Sequence, residues 1–174
     1  MKTKTERILA FMNFLAWIGF FALLLKAGSI LTSFIISIAK PEGTKNIYLG
    51  LNLYSLRKFD FWHYTGSVAL MAAITAMEAY VALLVIRVLS KIKMANPFTV
   101  EIARRLERIS IMILFIWAVS MLYNAHAEWL MKSVIGLQEP LIEGDFIYLA
   151  GIVFIFSQIF KKGVELQSEN ELTV

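Results

Sequence analysis

Glu78 is the residue whose setting demands most explanation in this sequence. It lies inside the apolar run "AAITAMEAYVALLV", nine positions before Arg87, which at about 1.5 Å of helix rise per residue is well inside a bilayer. A carboxylate there needs a partner, a water-filled cavity or a proton. Counted by depth, Asn13, Ser120, Ser157 and Gln158 fall at a comparable level. Glu78, Asn13 and Gln158 are therefore the candidate intramembrane polar residues. Proton or ion transport is the chemistry such a carboxylate can perform; a structural, hydrogen-bonded role is the alternative. A single carboxylate with no series of polar residues beside it favours the structural role.

The two histidines of the chain, His63 and His126, fall at one end of two different apolar runs, with Asp60, Glu128, Glu143 and Asp145 at a similar level. Imidazoles beside carboxylates can hold a divalent cation or titrate near neutral pH. The spacing argues against a complete metal site, because His126 and Glu128 are two apart and point to different helix faces. His63, His126 and Glu128 are thus poor metal candidates, and interfacial side chains satisfied by water and headgroups are the expected state. No cysteine is present, which removes disulfides, thiolate metal sites and a cysteine nucleophile. Phosphate-binding glycine loops, H-E-x-x-H and the serine-hydrolase elbow are also missing from the sequence. No enzyme activity and no cofactor are expected.

A third group is basic. "ANPFTVEIARRLERI" holds Arg104, Arg105 and Arg108. Either Asn96 caps a helix with Pro97 at its first position, or Thr99 is the cap. Beyond either start, Ala103, Leu106, Ile109 and Ile113 recur on one face, Arg104 and Arg108 on another, and Glu101 stands four residues before Arg105. This pattern predicts an amphipathic lead-in over about 97–108. Its arginines suit phospholipid headgroups or a docked protein. Direct nucleic-acid contact is not expected, since the arginines are few and no nucleic-acid module accompanies them.

The elements that must position these residues follow from composition. The chain is 59% hydrophobic, more than one soluble core of this size can bury, so lipid is the expected solvent. Four apolar segments predict spans at about 8–30, 63–88, 109–130 and 146–161 of a single 1–174 domain. The first is longer than a signal-peptide core and lacks a following A-x-A-like site, so no cleavage is expected. Lys26, Gly28 and Ser29 mark its boundary, beyond which the helix either continues or breaks. Lipid-exposed backbone must be internally bonded and barrel-type alternation is lacking, so the spans are helices. The expected fold is an all-α membrane protein, a four-helix transmembrane bundle. Lys and Arg concentrate around 2–7, 87–108 and 161–162, which predicts both termini inside (N-in/C-in).

The outer loop, about 40–62, contains "NIYLGLNLYSLRKFDF", whose partial period-two alternation suits a short β-hairpin; an irregular interfacial loop is the alternative. Tyr48, Tyr54, Phe61, Trp62, Tyr64, Trp129 and Tyr148 are expected to form an aromatic belt on this side. The tail, about 163–174, is acidic.

Two of these stretches, "NPFTVEIARRLERI" and "IFKKGVELQSENELTV", resemble the domain-of-unknown-function 2975 family of small bacterial four-span integral membrane proteins. The matching residues are Asn96, Pro97, Phe98 and Thr99, then Phe160, Lys162, Gly163, Glu165, Leu166, Gln167, Glu171, Leu172, Thr173 and Val174. The resemblance implies a multi-pass protein of the bacterial cytoplasmic (inner) membrane, often encoded beside a small helix-turn-helix regulator.

The expected function is non-enzymatic. A cytoplasmic face made of Arg104, Arg105 and Arg108 with Glu165, Glu169 and Glu171 would dock a partner such as a cytoplasmic transcription regulator. The glutamates of the tail are natural ion-pair partners for those arginines. The alternative is a small transporter or channel component using Glu78. The expected partners are the lipid bilayer and such a regulator, and homo-oligomerisation stays open.

Overall fold

The computed structural model describes residues 4–92 and 97–172, the last three by backbone alone. Asn96, Thr173 and Val174, and the side chain of Glu171, lie outside the described residues. Five α-helices follow in order: α1 (Lys4–Ala39), α2 (Tyr54–Phe59), α3 (Phe61–Leu89), α4 (Val100–Ser133) and α5 (Phe146–Leu172). A 3-10 turn occupies Pro41–Lys45. Among the described residues there is no strand.

Helices α1, α3, α4 and α5 are each long and apolar enough to cross a membrane. Phe11, Phe14, Ile35, Leu122 and Ile155 are exposed along them, and Leu25 is 75% exposed. That is a surface for lipid and not for water. Helix α1 runs unbroken through Lys26, Gly28 and Ser29. Its 36 residues reach roughly 54 Å, well beyond the ~30 Å of hydrocarbon.

The chain divides into two compact units. The first comprises Met1–Phe20, Tyr80–Phe115 and Asp145–Val174. Its core joins Leu84 and Val88 of α3 with Ile102, Ile109 and Ile113 of α4 and Ala150 of α5; Leu106, Phe146 and Phe160 flank it. The α4 residues recur at helical spacing, as an amphipathic lead-in requires. The buried Ser110 hydroxyl donates to the Ala150 carbonyl at 3.0 Å, joining α4 to α5. Thr99 is the α4 cap: its Oγ1 accepts the Ile102 N–H at 3.3 Å. Glu101 therefore sits in the first turn, where the exposed amides favour an anion.

The second unit comprises Phe21–Ala79 and Ile116–Gly144. Its core gathers Ile30 of α1, Ile47 and Leu53 of the 40–62 loop, and Leu56 of α2. Tyr64, Val68 and Ala72 of α3, Leu130 of α4, and Val134 and Leu137 beyond it complete the cluster. The 40–62 loop is not the hairpin its alternation suggested. The Ile47 N–H donates to the Leu51 carbonyl and the Leu51 N–H to that of Tyr48, both at 2.9 Å. This closes a tight turn with Leu49 (φ 46°) and Gly50 (φ 87°) left-handed. Ile47 and Leu53 turn into the core from the coiled path and Leu56 from α2, while Leu49 points out.

Two polar contacts fix that loop. The Arg57 guanidinium donates to the Ser37 carbonyl through Nε (3.1 Å) and Nη2 (2.6 Å), satisfying an orphan carbonyl at the end of α1. The Tyr64 hydroxyl donates to Ser37 Oγ at 2.8 Å, and Ser37 donates onward to the Phe34 carbonyl. Tyr64 is fully buried and so does not belong to the aromatic belt expected of it. Trp62, Trp129 and Tyr148 are exposed.

Candidate functional site

The basic loop and the tail meet in the first unit. Phe98 lies half-buried just before α4, its ring 5.1 Å from that of Phe160. A Cβ on Gly163 would come within 2.6 Å of Phe98 Cδ1 and 2.8 Å of Cγ. Phe98 and Gly163, matched by resemblance alone, are therefore two halves of one contact: the ring occupies the space that a side chain on α5 would fill. Lys161 Nζ bonds Glu107 Oε1 at 2.9 Å beside this contact.

Charges on this face are mostly matched close to home. Glu101 Oε1 accepts both Lys91 Nζ at 2.6 Å and Arg105 Nη2 at 2.7 Å. Glu165 pairs with Lys162, three residues back on its own helix, at 2.8 Å, and Glu169 stands in the same field. Glu165 thus takes Lys162 in place of the expected arginines; Glu171 falls outside the described residues. Among the described residues α4 and α5 are bridged by an ion pair of the opposite polarity, Glu107 on α4 and Lys161 on α5. Arg104 and Arg108, one turn apart and exposed, have no ion-pair partner among the described residues. Leu166 is exposed beyond them on α5.

The histidines meet in the second unit. His63 Nδ1 and His126 Nε2 are 3.2 Å apart, with Trp129 beside both rings. Helix α3 presents His63 and Ser67 one turn apart, and α4 presents Tyr123 and His126 at i,i+3. Asp60 fixes the start of α3, its Oδ1 accepting the His63 N–H at 2.8 Å. Behind the imidazoles, Ser67 Oγ lies 3.5 Å from His126 Nδ1 and donates to Glu139 Oε1 at 3.2 Å. Glu128 is exposed and outside this chain of contacts. No group of three or more metal-ligating side chains occurs among the described residues.

Glu139 and Ser67 were not singled out by sequence. Glu139 lies in what reads as a surface turn, yet it is 6% exposed. Pro140 forces an extended backbone on the residue before it. Asn124 then clamps the loop: its Nδ2 donates to the Ile142 carbonyl at 2.8 Å and its Oδ1 accepts the Ile142 N–H at 2.9 Å. Leu137, two residues before Glu139, is seated in the core. Burial pushes the Glu139 carboxyl above the ordinary carboxylate range, while Ser67 and Tyr123 draw it partly back. Glu139 Oε2 and the Tyr123 hydroxyl, both buried and facing each other, complete no further hydrogen bond of good geometry among the described residues. The available signal was Asn124, an amide inside an apolar span.

Glu78 is half-buried and has no hydrogen-bond partner among the described residues; Lys26 is its electrostatic neighbour. Asn13 lines an open cleft of 190 Å³ with Glu6, Leu9, Ala10, Leu89 and Ile92, and its buried Oδ1 is unpartnered among the described residues. Gln158 donates to its neighbour Ser157 at 3.2 Å.

Four long apolar helices with outward-facing phenylalanine, leucine and isoleucine define a multi-pass helical membrane protein. A family profile described as "Protein of unknown function (DUF2975)" matches residues 12–174, and the chain belongs to that family. The comparison with curated proteins found no match, and neither did the comparison with solved structures.

Proposed function

We propose that this is a non-enzymatic protein of the bacterial cytoplasmic membrane, with both termini inside. In this reading Arg104 and Arg108 dock an acidic face of a cytoplasmic regulatory protein. The observation that carries it is the pair of exposed guanidiniums one turn apart, unmatched among the described residues, while Lys91, Arg105, Lys161 and Lys162 all have carboxylate partners. Phe98 seated on Gly163 and the Glu107–Lys161 pair hold the start of α4 against α5. The two arginines are thereby presented in a fixed arrangement, which lowers the ordering cost of binding. A helix-turn-helix regulator is the partner class that the family resemblance implies. It would be held by its acidic surface, because two arginines supply too few phosphate contacts to bind nucleic acid directly.

Co-purification from native membranes tests this. Changing Arg104→Glu together with Arg108→Glu should lose the partner, and Lys132→Glu should keep it. Retention by the double variant would end the docking reading.

A second reading rests on Glu78, a carboxyl within a span with Lys26 as its electrostatic neighbour and no hydrogen-bond partner among the described residues. As a transporter or channel component, the protein would show proton- or ion-dependent flux in liposomes that Glu78→Gln abolishes. Absence of flux from the native protein eliminates this reading.

A further inference from the structure

The contacts behind the two imidazoles share one property: every atom in the series can both give and take a proton. We infer that Glu139 is a proton-binding site, loaded from the membrane surface through a relay of His63, His126 and Ser67. The steps are 3.2 Å from His63 Nδ1 to His126 Nε2, 3.5 Å from His126 Nδ1 to Ser67 Oγ and 3.2 Å from Ser67 Oγ to Glu139 Oε1. His63 is half-buried and stands at the mouth; Ser67 and Glu139 are buried.

Hydrogen-bond bookkeeping allows two states. With Glu139 ionised, Ser67 must donate to it. Ser67 then accepts from His126 Nδ1–H, and His126 Nε2 accepts from His63 Nδ1–H, leaving a lone pair on His63 Nε2. A proton arriving at His63 Nε2 displaces the one on Nδ1 to His126 Nε2. That in turn sends the His126 Nδ1 proton to Ser67, and the Ser67 proton to Glu139 Oε1. One proton has been gained, each neutral ring has exchanged tautomers, and every hydrogen bond survives with its direction reversed. No heavy atom has to move.

Two further features fit a proton as the ligand. Glu139 Oε2 and the Tyr123 hydroxyl are buried beside the relay without a hydrogen bond of good geometry among the described residues, so the hydroxyl does not fully compensate the anion. The titratable groups that reach the carboxyl are Tyr123 from α4 directly, and His126 and His63 through Ser67. Asp60 stands at the mouth, occupied by the His63 amide. No lysine or arginine is in this set, so nothing there holds Glu139 permanently ionised.

Infrared spectroscopy on the full chain in lipid reads this directly. A protonated-carboxyl carbonyl band should be present in the native protein and reduced in Glu139→Gln, which separates it from any band of Glu78. On transfer to heavy water the Glu139 band should shift promptly in the native protein. In Ser67→Ala and in His126→Gln it should still form but shift about ten-fold more slowly, because exchange must then await local opening of the loop. A merely structural Ser67 or His126 would leave that exchange rate alone. A native spectrum without a Glu139 band at any pH up to neutral overturns the inference, as does exchange equally fast in both relay variants. A zinc ion bound one to one, requiring both histidines and blocking the band, also overturns it in favour of a metal site.

Discussion

The ring of Phe98 lies so close to the backbone of Gly163 that a methyl group on that glycine would stand 2.6 Å from Cδ1. Gly163→Ala should therefore destabilise the protein by about 1–3 kcal/mol, the usual cost of overpacking, although alanine is the better helix former by about 1 kcal/mol. In a Phe98→Ala background the clash is gone and the same change should become neutral or stabilising. Thermal denaturation of the four proteins in one detergent measures the cycle. Equal effects of Gly163→Ala in both backgrounds would show that the contact does not couple α5 to the loop.

Asn124 should be the residue that keeps the Leu137–Ile142 loop in place. Loss of its two bonds to Ile142 in Asn124→Ala should cost about 2 kcal/mol, near 1 kcal/mol for each. Hydrogen exchange at the Ile142 amide should speed up accordingly. Asn124→Asp keeps the acceptor and should preserve protection of that amide better than alanine does. Equal protection in native and alanine proteins would show that the loop is held by other contacts.

Stability should fall with rising pH through a window set by Glu139. Its carboxyl lies above the ordinary value of 4.5 because burial disfavours the anion. The folded state therefore binds this proton more tightly than the unfolded chain does. That contribution is complete below 4.5 and is lost as pH climbs through the raised value. Melting temperature against pH, compared with Glu139→Gln, isolates the effect: the two curves should converge at low pH and separate as pH rises, with the native protein losing stability. Parallel curves would mean that Glu139 titrates alike in both states.

Membrane sidedness can be read cleanly because the chain has no cysteine. Single cysteines at Arg104 and Lys162 should react with an impermeant maleimide only when it is supplied from the cytoplasmic side. Single cysteines at Trp62 and Lys132 should react only from the other side. Labelling of the pairs from swapped sides would reverse the proposed topology, and labelling of all four from one side would break it.

The helices were legible because lipid allows so few solutions. Residues such as Phe14, Leu25 and Ile155 need only be apolar to specify a span, and long runs of such residues declare it. The amphipathic lead-in was legible too. Of the apolar face expected from the spacing, Ala103, Ile109 and Ile113 are buried and Leu106 flanks the core, while Ile102 joins the core without having been expected there. The 40–62 loop was not legible, because the alternation of Ile47, Leu49, Leu51 and Leu53 suits a strand, while the chain instead turns so that Ile47 and Leu53 are buried and Leu49 is exposed. Glu139 was hidden for a different reason: its burial depends on Asn124 and Ile142 meeting 18 residues apart, and no local pattern encodes that. The histidine pair was legible as two residues at one depth. Its partner turned out to be Ser67, whose hydroxyl gives no signal in an apolar helix.

Site-specific photo-crosslinking in native membranes tests the docking claim most directly, with a short-range crosslinking amino acid placed in turn at positions 101 and 132. One discrete protein adduct is expected from position 101 and none from 132. The adduct formed from position 101 should disappear when Arg104→Glu and Arg108→Glu are introduced together. Lipid adducts alone from the lead-in, or a protein adduct at position 101 indifferent to reversing both charges, would contradict it.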